Sequence, residues 1–136
     1  MGPPPSPPAF RHRELVFGSE TGAACGAGIA WVRRTLDDWH LPAEGGDAVL
    51  VAAELLANAA DHAGGILRLS LEHHGTLLQI AVTDPSPEPP HMGEHRPHAI
   101  RGHGLFIVDR LTLSWGSRRE GAGKTVWADL PLPSPS

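Results

Sequence analysis

The clearest pattern of apolar and polar residues lies between residues 47 and 63, where it predicts a helix. The segment reads DAVLVAAELLANAADHA, lacks Pro, and is followed directly by two glycines, which is typical of a helix and its stop. Residues four apart project from nearly the same side of a helix. Glu54, Asn58 and His62 therefore form one polar stripe. The apolar side is predicted to contain Val49, Ala52, Leu56, Ala59, Ala60 and Ala63.

This polar stripe has two interpretations. The ordinary one is a solvated helix face. However, the stripe carries acids and an amide but no Lys or Arg for pairing one turn away, and Leu50 and Val51 lie at its edges. A carboxylate at Glu54 and an amide oxygen at Asn58, held one turn apart beside apolar surface, suit a proton acceptor and a ligand of a hard cation. The helix is therefore a candidate functional element that requires partners elsewhere in the chain.

The remaining pattern predicts an α/β (α+β) two-layer sandwich. The other predicted helices are 20–38 and 105–113. The predicted strands are 14–17, 66–73, 77–83, 114–120 and 125–130, the last four forming two hairpins. The order β-α-α-β-β-loop-α-β-β predicts helices on one face of a mixed, mostly antiparallel sheet.

Within these elements, individual side chains are assigned to the core or to the surface. Alternation predicts two inward-facing sets of strand residues: Leu67, Leu69 and Leu71, and Leu78, Ile80 and Val82. His73 and His74 are predicted to be exposed turn residues. Cys25, which lacks a polarising base, is predicted to pack in the interior.

Proline marks both tails and one long loop. Residues 1–9 and 131–136 are predicted to be disordered, which leaves an ordered domain at 10–130. Residues 84–101 (DPSPEPPHMGEHRPHAIR) form a proline-rich loop whose length is typical of a lid or a disordered segment. Four histidines at 91, 95, 98 and 103 raise the alternative of a zinc site, but no Cys accompanies them and the lid interpretation is favoured.

Composition excludes several classes of protein. The chain of 136 residues has a net charge of −4 and no basic run, so a nucleic-acid partner is not expected. A single cysteine, Cys25, excludes an internal disulfide and fits a reducing compartment. No stretch resembles a signal peptide or a membrane span. We therefore expect a soluble, cytoplasmic protein.

Four short motifs occur in a fixed order, and their joint spacing carries a resemblance. They are Glu54-x3-Asn58-x3-His62, Asp84-x-Ser86-Pro, Gly102-His103-Gly104-Leu105 and Gly123-Lys124-Thr125. Each alone is common. Together they resemble the Bergerat-type ATP-binding fold of the GHKL superfamily, and within it the small bacterial anti-sigma-factor serine/threonine kinases. The resemblance extends over about residues 15–130.

The resemblance implies a site for ATP and Mg²⁺ to which the central helix contributes. Asn58 would offer a neutral oxygen to Mg²⁺, and Glu54 would accept a proton from an attacking hydroxyl. Asp84 would accept a hydrogen bond from the adenine amino group, which guanine lacks at that position. Thr125, expected beside Asp84 in the sheet, would hold the base directly or through water.

The glycine motif is implied to bind the phosphates. Gly102 and Gly104 permit close approach of the backbone, and the amides that open the helix at Leu105 can cradle an anion. Relatives commonly carry Arg at the position of His103, and Arg101 can compensate for that difference. The motif residues His62, Ser86 and Lys124 complete the implied nucleotide-binding set.

The resemblance implies an ATP-dependent kinase that phosphorylates a serine of an anti-sigma-factor antagonist and sequesters a sigma factor. It leaves open whether the protein forms a homodimer. Two alternatives share the same nucleotide motifs: a nucleotide-gated partner-binding module with little catalysis, and a slow ATPase in which Glu54 orients water. Binding alone does not require a base, so the presence of Glu54 favours catalysis.

Overall fold

The computed structural model describes residue 2 and residues 10–18, 23–41, 46–90 and 104–131. Within these ranges the elements follow the predicted order of strands and helices. They are β1 (Phe10–Val16), α1 (Ala24–Asp38), α2 (Asp47–His62), β2 (Arg68–His74), β3 (Leu77–Asp84), α3 (Gly104–Leu111), β4 (Ser114–Glu120) and β5 (Gly123–Pro131).

The five described strands form one sheet in the order β1-β2-β3-β5-β4, and every neighbouring pair is antiparallel. Two of these pairs are hairpins closed at Gly75 (φ 57°) and Gly121 (φ 58°), where glycine tolerates the left-handed backbone. The predicted α+β sandwich is confirmed. The sheet is antiparallel throughout the described strands, whereas a mixed sheet was predicted.

The central helix α2 organises the helical layer, because it contacts α1, α3 and β3. A Cβ atom at position 28 would lie 2.8 Å from Leu56 Cδ1, so Gly28 allows α1 to approach α2 closely. The glycine that weakens α1 locally therefore permits the packing of the two helices.

Apolar contact between the helices and the sheet stabilises the fold. Burial of one large aliphatic side chain contributes about 1.5–3 kcal/mol. Surface ion pairs such as Arg13–Asp38, at 2.7 Å, typically contribute about 0–1 kcal/mol. The core therefore dominates, and its fully buried members include Leu36, Leu55, Leu56, Leu69, Leu71, Leu78, Ile80 and Leu130.

Element boundaries agree best where the periodicity is strong. Helix α2 ends one residue before the predicted 63, and β4 has the predicted bounds. Strand β1 begins at Phe10 instead of residue 14, and β5 extends to Gly123–Pro131 on both sides of the predicted 125–130. The longer strands follow from ladder pairing with β2 and β3, which propensity alone does not reveal.

Two corrections concern which side chains of α2 and β2 are buried. On α2, Val51 and Leu55 are buried while Ala60 is exposed, because α2 packs against two helices as well as the sheet. Leu69 and Leu71 lie in the core as predicted, but Leu67 precedes β2 and is exposed. The inward set of β3 is confirmed in full: Leu78, Ile80 and Val82.

The prediction for His73 is wrong. Its side chain is only 4% exposed, because alternation along β2 places it on the same face as Leu69 and Leu71. Burial, followed by the charge of Arg11 and the neighbouring His74, lowers the pKa of the His73 imidazole. His74 is exposed, as predicted.

Cys25 packs against the core as predicted, although its side chain is half-buried and not fully interior. Burial and then the negative charge of Asp61 raise the pKa of the thiol, so the unreactive thiol form is favoured. The predicted tails, except for residues 2 and 131, and the loop residues 91–103 lie outside the described residues.

Candidate functional site

The polar stripe of α2 exists as predicted. Glu54 and Asn58 are half-buried and one turn apart, which corresponds to a rise of about 6 Å. Neither side chain makes a hydrogen bond or an ion pair with any described residue. His62, in the last turn, is exposed. A half-buried carboxylate and amide without described partners leave their oxygens available to a ligand.

Asp84 ends β3 and is completely buried. Its Oδ1 accepts a hydrogen bond from the backbone N–H of Ser86 at 2.9 Å and another from Lys124 Nζ at 3.1 Å. Lys124 is itself 3% exposed and also donates to the Ser86 carbonyl at 3.5 Å. The second carboxylate oxygen of Asp84, Oδ2, is buried and has no described hydrogen-bond partner. One oxygen is therefore satisfied by the protein, and the other is not.

Close backbone contact explains why glycine follows the β4–β5 turn. A Cβ atom at position 123 would lie 1.9 Å from the Asp84 carbonyl oxygen and 3.0 Å from Pro85 Cα. Gly123 therefore allows the start of β5 to lie against the end of β3. This approach brings Lys124 into register with Asp84.

The end of α2 lies at the same edge of the sheet. Gly64 has a φ of 83°, and a Cβ atom there would contact Pro85 Cγ at 3.6 Å. The His62 end of α2 therefore lies near the Asp84–Pro85 step. The structure thus places the end of the central helix beside the second motif.

The position of Thr125 corrects the expectation that it lies beside Asp84. Thr125 pairs with Thr83 across the sheet, and Lys124 pairs with Asp84. Since side chains alternate along a strand, Asp84 and Lys124 share the helix-covered face with Val82, whereas Thr125 projects from the opposite face.

On that opposite face, Thr125 belongs to a polar network. The hydroxyls of Thr83 and Thr125 share a hydrogen bond of 2.8 Å, and Thr125 donates a short hydrogen bond to Glu120. Arg68 donates to both carboxylate oxygens of Glu120 at 2.8 and 3.0 Å. The hydrogen bond from Thr125, then that from Arg68, lowers the pKa of the Glu120 carboxyl. These contacts occupy the Thr125 hydroxyl within the sheet.

Helix α3 begins at the third motif. It is followed by β4 after only two residues, and Leu113 N–H bonds the Asp129 carbonyl, so the end of α3 lies next to the start of β4. The end of β4, Glu120, pairs with Gly123. Gly123 in turn lies against the Asp84 carbonyl. Arg101, Gly102 and His103 lie outside the described residues, and Gly104 and Leu105 are described only as backbone of α3.

The sequence did not single out the Asp84–Lys124 pair as a contact. Its only signal was the register of two strands, which depends on the length of the β4–β5 turn and on Gly123. The described residues contain no group of three or more His, Cys, Asp or Glu side chains placed to hold a metal. The four histidines of the alternative zinc site fall outside them.

A model of the family "Histidine kinase-like ATPase domain" matches residues 19–130. The chain belongs to this family. The match includes all four motifs and every described element after β1. No curated protein matches the chain closely enough to count as a relative. Membership makes this an ATP-binding regulator of the GHKL type, with ATP-dependent kinase or ATPase activity as its expected chemistry.

The described residues fit ATP, and with it Mg²⁺. The unpartnered Oδ2 of Asp84 can accept a hydrogen bond from an amino group, and an ionised carboxylate can only accept. The Asn58 amide oxygen is a neutral ligand of the kind that Mg²⁺ takes alongside phosphate oxygens and water. No helix in the described part of the chain is long and apolar enough to cross a membrane.

Proposed function

We propose that the protein is an ATP-dependent serine/threonine kinase of the anti-sigma-factor type. It would phosphorylate a serine of an antagonist protein and sequester a sigma factor. The observation that carries this proposal is the pair formed by Glu54 and Asn58. Both are half-buried on α2, one turn apart, and without described partners.

The chemistry assigns a separate task to each residue. Glu54 accepts the proton of the attacking serine hydroxyl. At the same time the serine oxygen bonds to the γ-phosphorus of ATP, the bond between the γ-phosphorus and the bridging oxygen breaks, and ADP leaves. Asn58 holds Mg²⁺, which offsets phosphate charge when bound. Asp84 selects adenine through its amino group. The N-terminal amides of α3 would favour an anionic phosphate.

A groove beside Glu54, lined in part by Leu50 one turn earlier and by the adjacent Ala53, supports binding of a protein partner. Helices α1 and α2 enclose a groove of about 530 Å³ whose lining includes Ile29, Arg33, Asp37 and Leu50. Leu50 is 41% exposed. An apolar groove flanked by charges of both signs is typical of a protein-binding surface. None of the residues proposed to bind nucleotide lines it, so partner and ATP can be held together.

The alternative function is a nucleotide-gated binding module with negligible catalysis. It shares Asn58 and Asp84 with the kinase proposal and differs only in the need for a base at Glu54. A slow ATPase would use the same carboxylate to orient water. The three functions are therefore separated by what Glu54 does, not by whether ATP binds.

Transfer of labelled phosphate from ATP to candidate antagonist proteins tests the proposal. The wild type is compared with Glu54→Gln and with Asp47→Asn, a matched control that removes an exposed acid from the same helix. We expect transfer by the wild type and the control, and loss with Glu54→Gln. Tight ATP binding without transfer to any antagonist would favour the gated module, and release of phosphate without a protein acceptor would favour the ATPase.

A further inference from the structure

The two oxygens of the Asp84 carboxylate have different surroundings. Oδ1 accepts from Lys124 Nζ at 3.1 Å and from the Ser86 N–H at 2.9 Å. Oδ2 is buried without any described donor. Asp84 is 0% exposed and Lys124 is 3% exposed. A buried carboxyl group with only one oxygen hydrogen-bonded is unusual and calls for a ligand or another explanation.

Lys124 is the charged partner of the Asp84 carboxylate. Burial of a carboxylate is costly unless an opposite charge or hydrogen bonds compensate for the lost water. The ammonium group supplies that compensation from the neighbouring strand, and the extra contact with the Ser86 carbonyl at 3.5 Å limits where Nζ can lie. Arg119, the cross-strand neighbour of Lys124 on β4, is exposed instead. The two cations therefore have different roles although they are adjacent.

We propose that Lys124 is a positioning residue that determines the base specificity of the nucleotide site. It holds Oδ1 and so leaves Oδ2 as the oxygen that meets the ligand. This inference rests on the proposed binding of ATP. It adds that Lys124 acts through Asp84 and does not contact the nucleotide itself.

The chemistry of the purine six-position gives this arrangement its consequence. Adenine presents an amino donor there, whereas hypoxanthine presents a carbonyl acceptor. An acceptor-only Oδ2 bonds the first and repels the second. Without Lys124, Oδ1 loses one of its two donors, and the carboxylate is no longer held with Oδ2 toward the ligand. The protein should then lose its preference for the amino group, and not merely its affinity for both nucleotides.

The test measures binding of ATP and inosine triphosphate by calorimetry. The variants are Lys124→Met, which keeps an unbranched side chain, and Arg119→Met, which removes the adjacent exposed charge as a matched control. We expect Lys124→Met to reduce the ratio of ATP to inosine triphosphate affinity at least ~5-fold, as for loss of about one hydrogen bond. Arg119→Met should leave the ratio unchanged.

Three results would overturn the inference. The ratio could survive Lys124→Met; both affinities could fall in proportion with thermal stability, as a purely structural role requires; or ATP affinity could rise, which would make Lys124 a competitor for Asp84. A wild type that binds neither nucleotide would instead overturn the proposed function, and this inference with it.

A second comparison applies if Lys124→Met does not fold. Asp84→Asn is compared with the double variant Asp84→Asn/Lys124→Met, in which neither buried charge is left. Because Lys124 acts through the carboxylate, its removal in that background should leave the affinity ratio unchanged. A further loss of affinity for both nucleotides would show direct contact with the ligand and refute the positioning role.

Discussion

The hydroxyls of Thr83 and Thr125 lie 2.8 Å apart on the sheet face opposite to the Asp84 carboxylate. Both threonine hydroxyls also donate to Glu120, and Arg68 on β2 forms an ion pair with the same carboxylate. The fourth motif therefore divides between the two faces of the sheet. Lys124 projects from the helix-covered face with Asp84, and Thr125 joins β3 to β5 on the other face.

This division predicts that Thr125 affects stability and not nucleotide binding. Thr125→Val keeps the shape but removes hydrogen bonds to Thr83 and Glu120. We expect the free energy of unfolding to fall by about 1–2 kcal/mol and the affinity for ATP to stay within twofold of the wild type, a margin of about 0.4 kcal/mol. Urea unfolding and calorimetry measure the two quantities. A selective loss of ATP affinity at unchanged stability would return Thr125 to the nucleotide site.

Asp84 is expected to control the choice of base. The wild type should bind ATP well above GTP, because the six-position carbonyl of guanine offers no donor to a carboxylate. Asp84→Asn introduces an amide donor and should reduce that preference when both nucleotides are titrated by calorimetry. The substitution also leaves Lys124 buried without its partner, at a cost of about 3–5 kcal/mol, so folding is checked by circular dichroism first. Equal affinities in the wild type would contradict the base pocket.

Glu54 and Asn58 should give different kinetic phenotypes. Glu54→Gln keeps the size of the side chain and its ability to form hydrogen bonds but removes the proton acceptor. ATP binding should therefore persist while phosphate transfer falls ~10²–10⁴-fold. Asn58→Ala removes the proposed metal ligand and should weaken Mg²⁺-ATP binding and transfer together. Transfer at the wild-type rate by a folded Glu54→Gln protein would eliminate the proposed base.

His73 should make stability depend on pH below neutrality. Burial lowers its pKa in the folded state from the usual 6.5, so the unfolded chain takes up the proton first. The free energy of unfolding is therefore expected to fall as the pH drops below about 6.5, and to be unaffected by this group above it. The pKa of Glu120 is lowered from 4.5, so its effect on the pH dependence of stability is confined to a separate pH range, near and below that value.

Thermal unfolding between about pH 5 and pH 8 separates the histidines from ordinary carboxyl groups, which titrate below this range, and a substitution separates His73 from the other histidines. His73→Leu should flatten the dependence, since an apolar side chain fits a buried site beside Leu69 and Leu71. His74→Gln, at the exposed neighbour, is the control and should keep the slope. An unchanged slope with His73→Leu would assign the effect to other groups.

Gly123 should tolerate no side chain. A Cβ atom would lie 1.9 Å from the Asp84 carbonyl oxygen, so Gly123→Ala must separate β3 from β5 at the edge that carries the site. We expect destabilisation of several kcal/mol together with loss of nucleotide binding.

The matched control is Gly26→Ala. A Cβ atom there meets nothing within 4 Å, and Ala favours the helical backbone of α1 by about 0.5–1 kcal/mol. Urea unfolding should thus show opposite signs for the two substitutions. Equal tolerance at both positions would mean that the close approach of β5 to β3 is not required.

The sequence by itself determined the order of elements, the long amphipathic helix and the sandwich class. These depend on local periodicity, which reports the orientation of each residue relative to its own helix or strand axis. It also placed Glu54 and Asn58 on one face of α2, because four residues nearly complete a turn. Their roles in catalysis and metal binding stay predictions.

Tertiary structure decided which residues meet across the sheet. Leu67 is exposed because it precedes β2, and His73 is buried because β2 continues to His74 instead of ending in the turn; no local pattern marks either limit. Lys124, and not Thr125, faces Asp84 because Gly123 admits the backbone of β3 and sets the register of β5. A shift of one residue in a strand reverses every side chain. Since register depends on contacts between distant segments, only the folded chain could assign these partners.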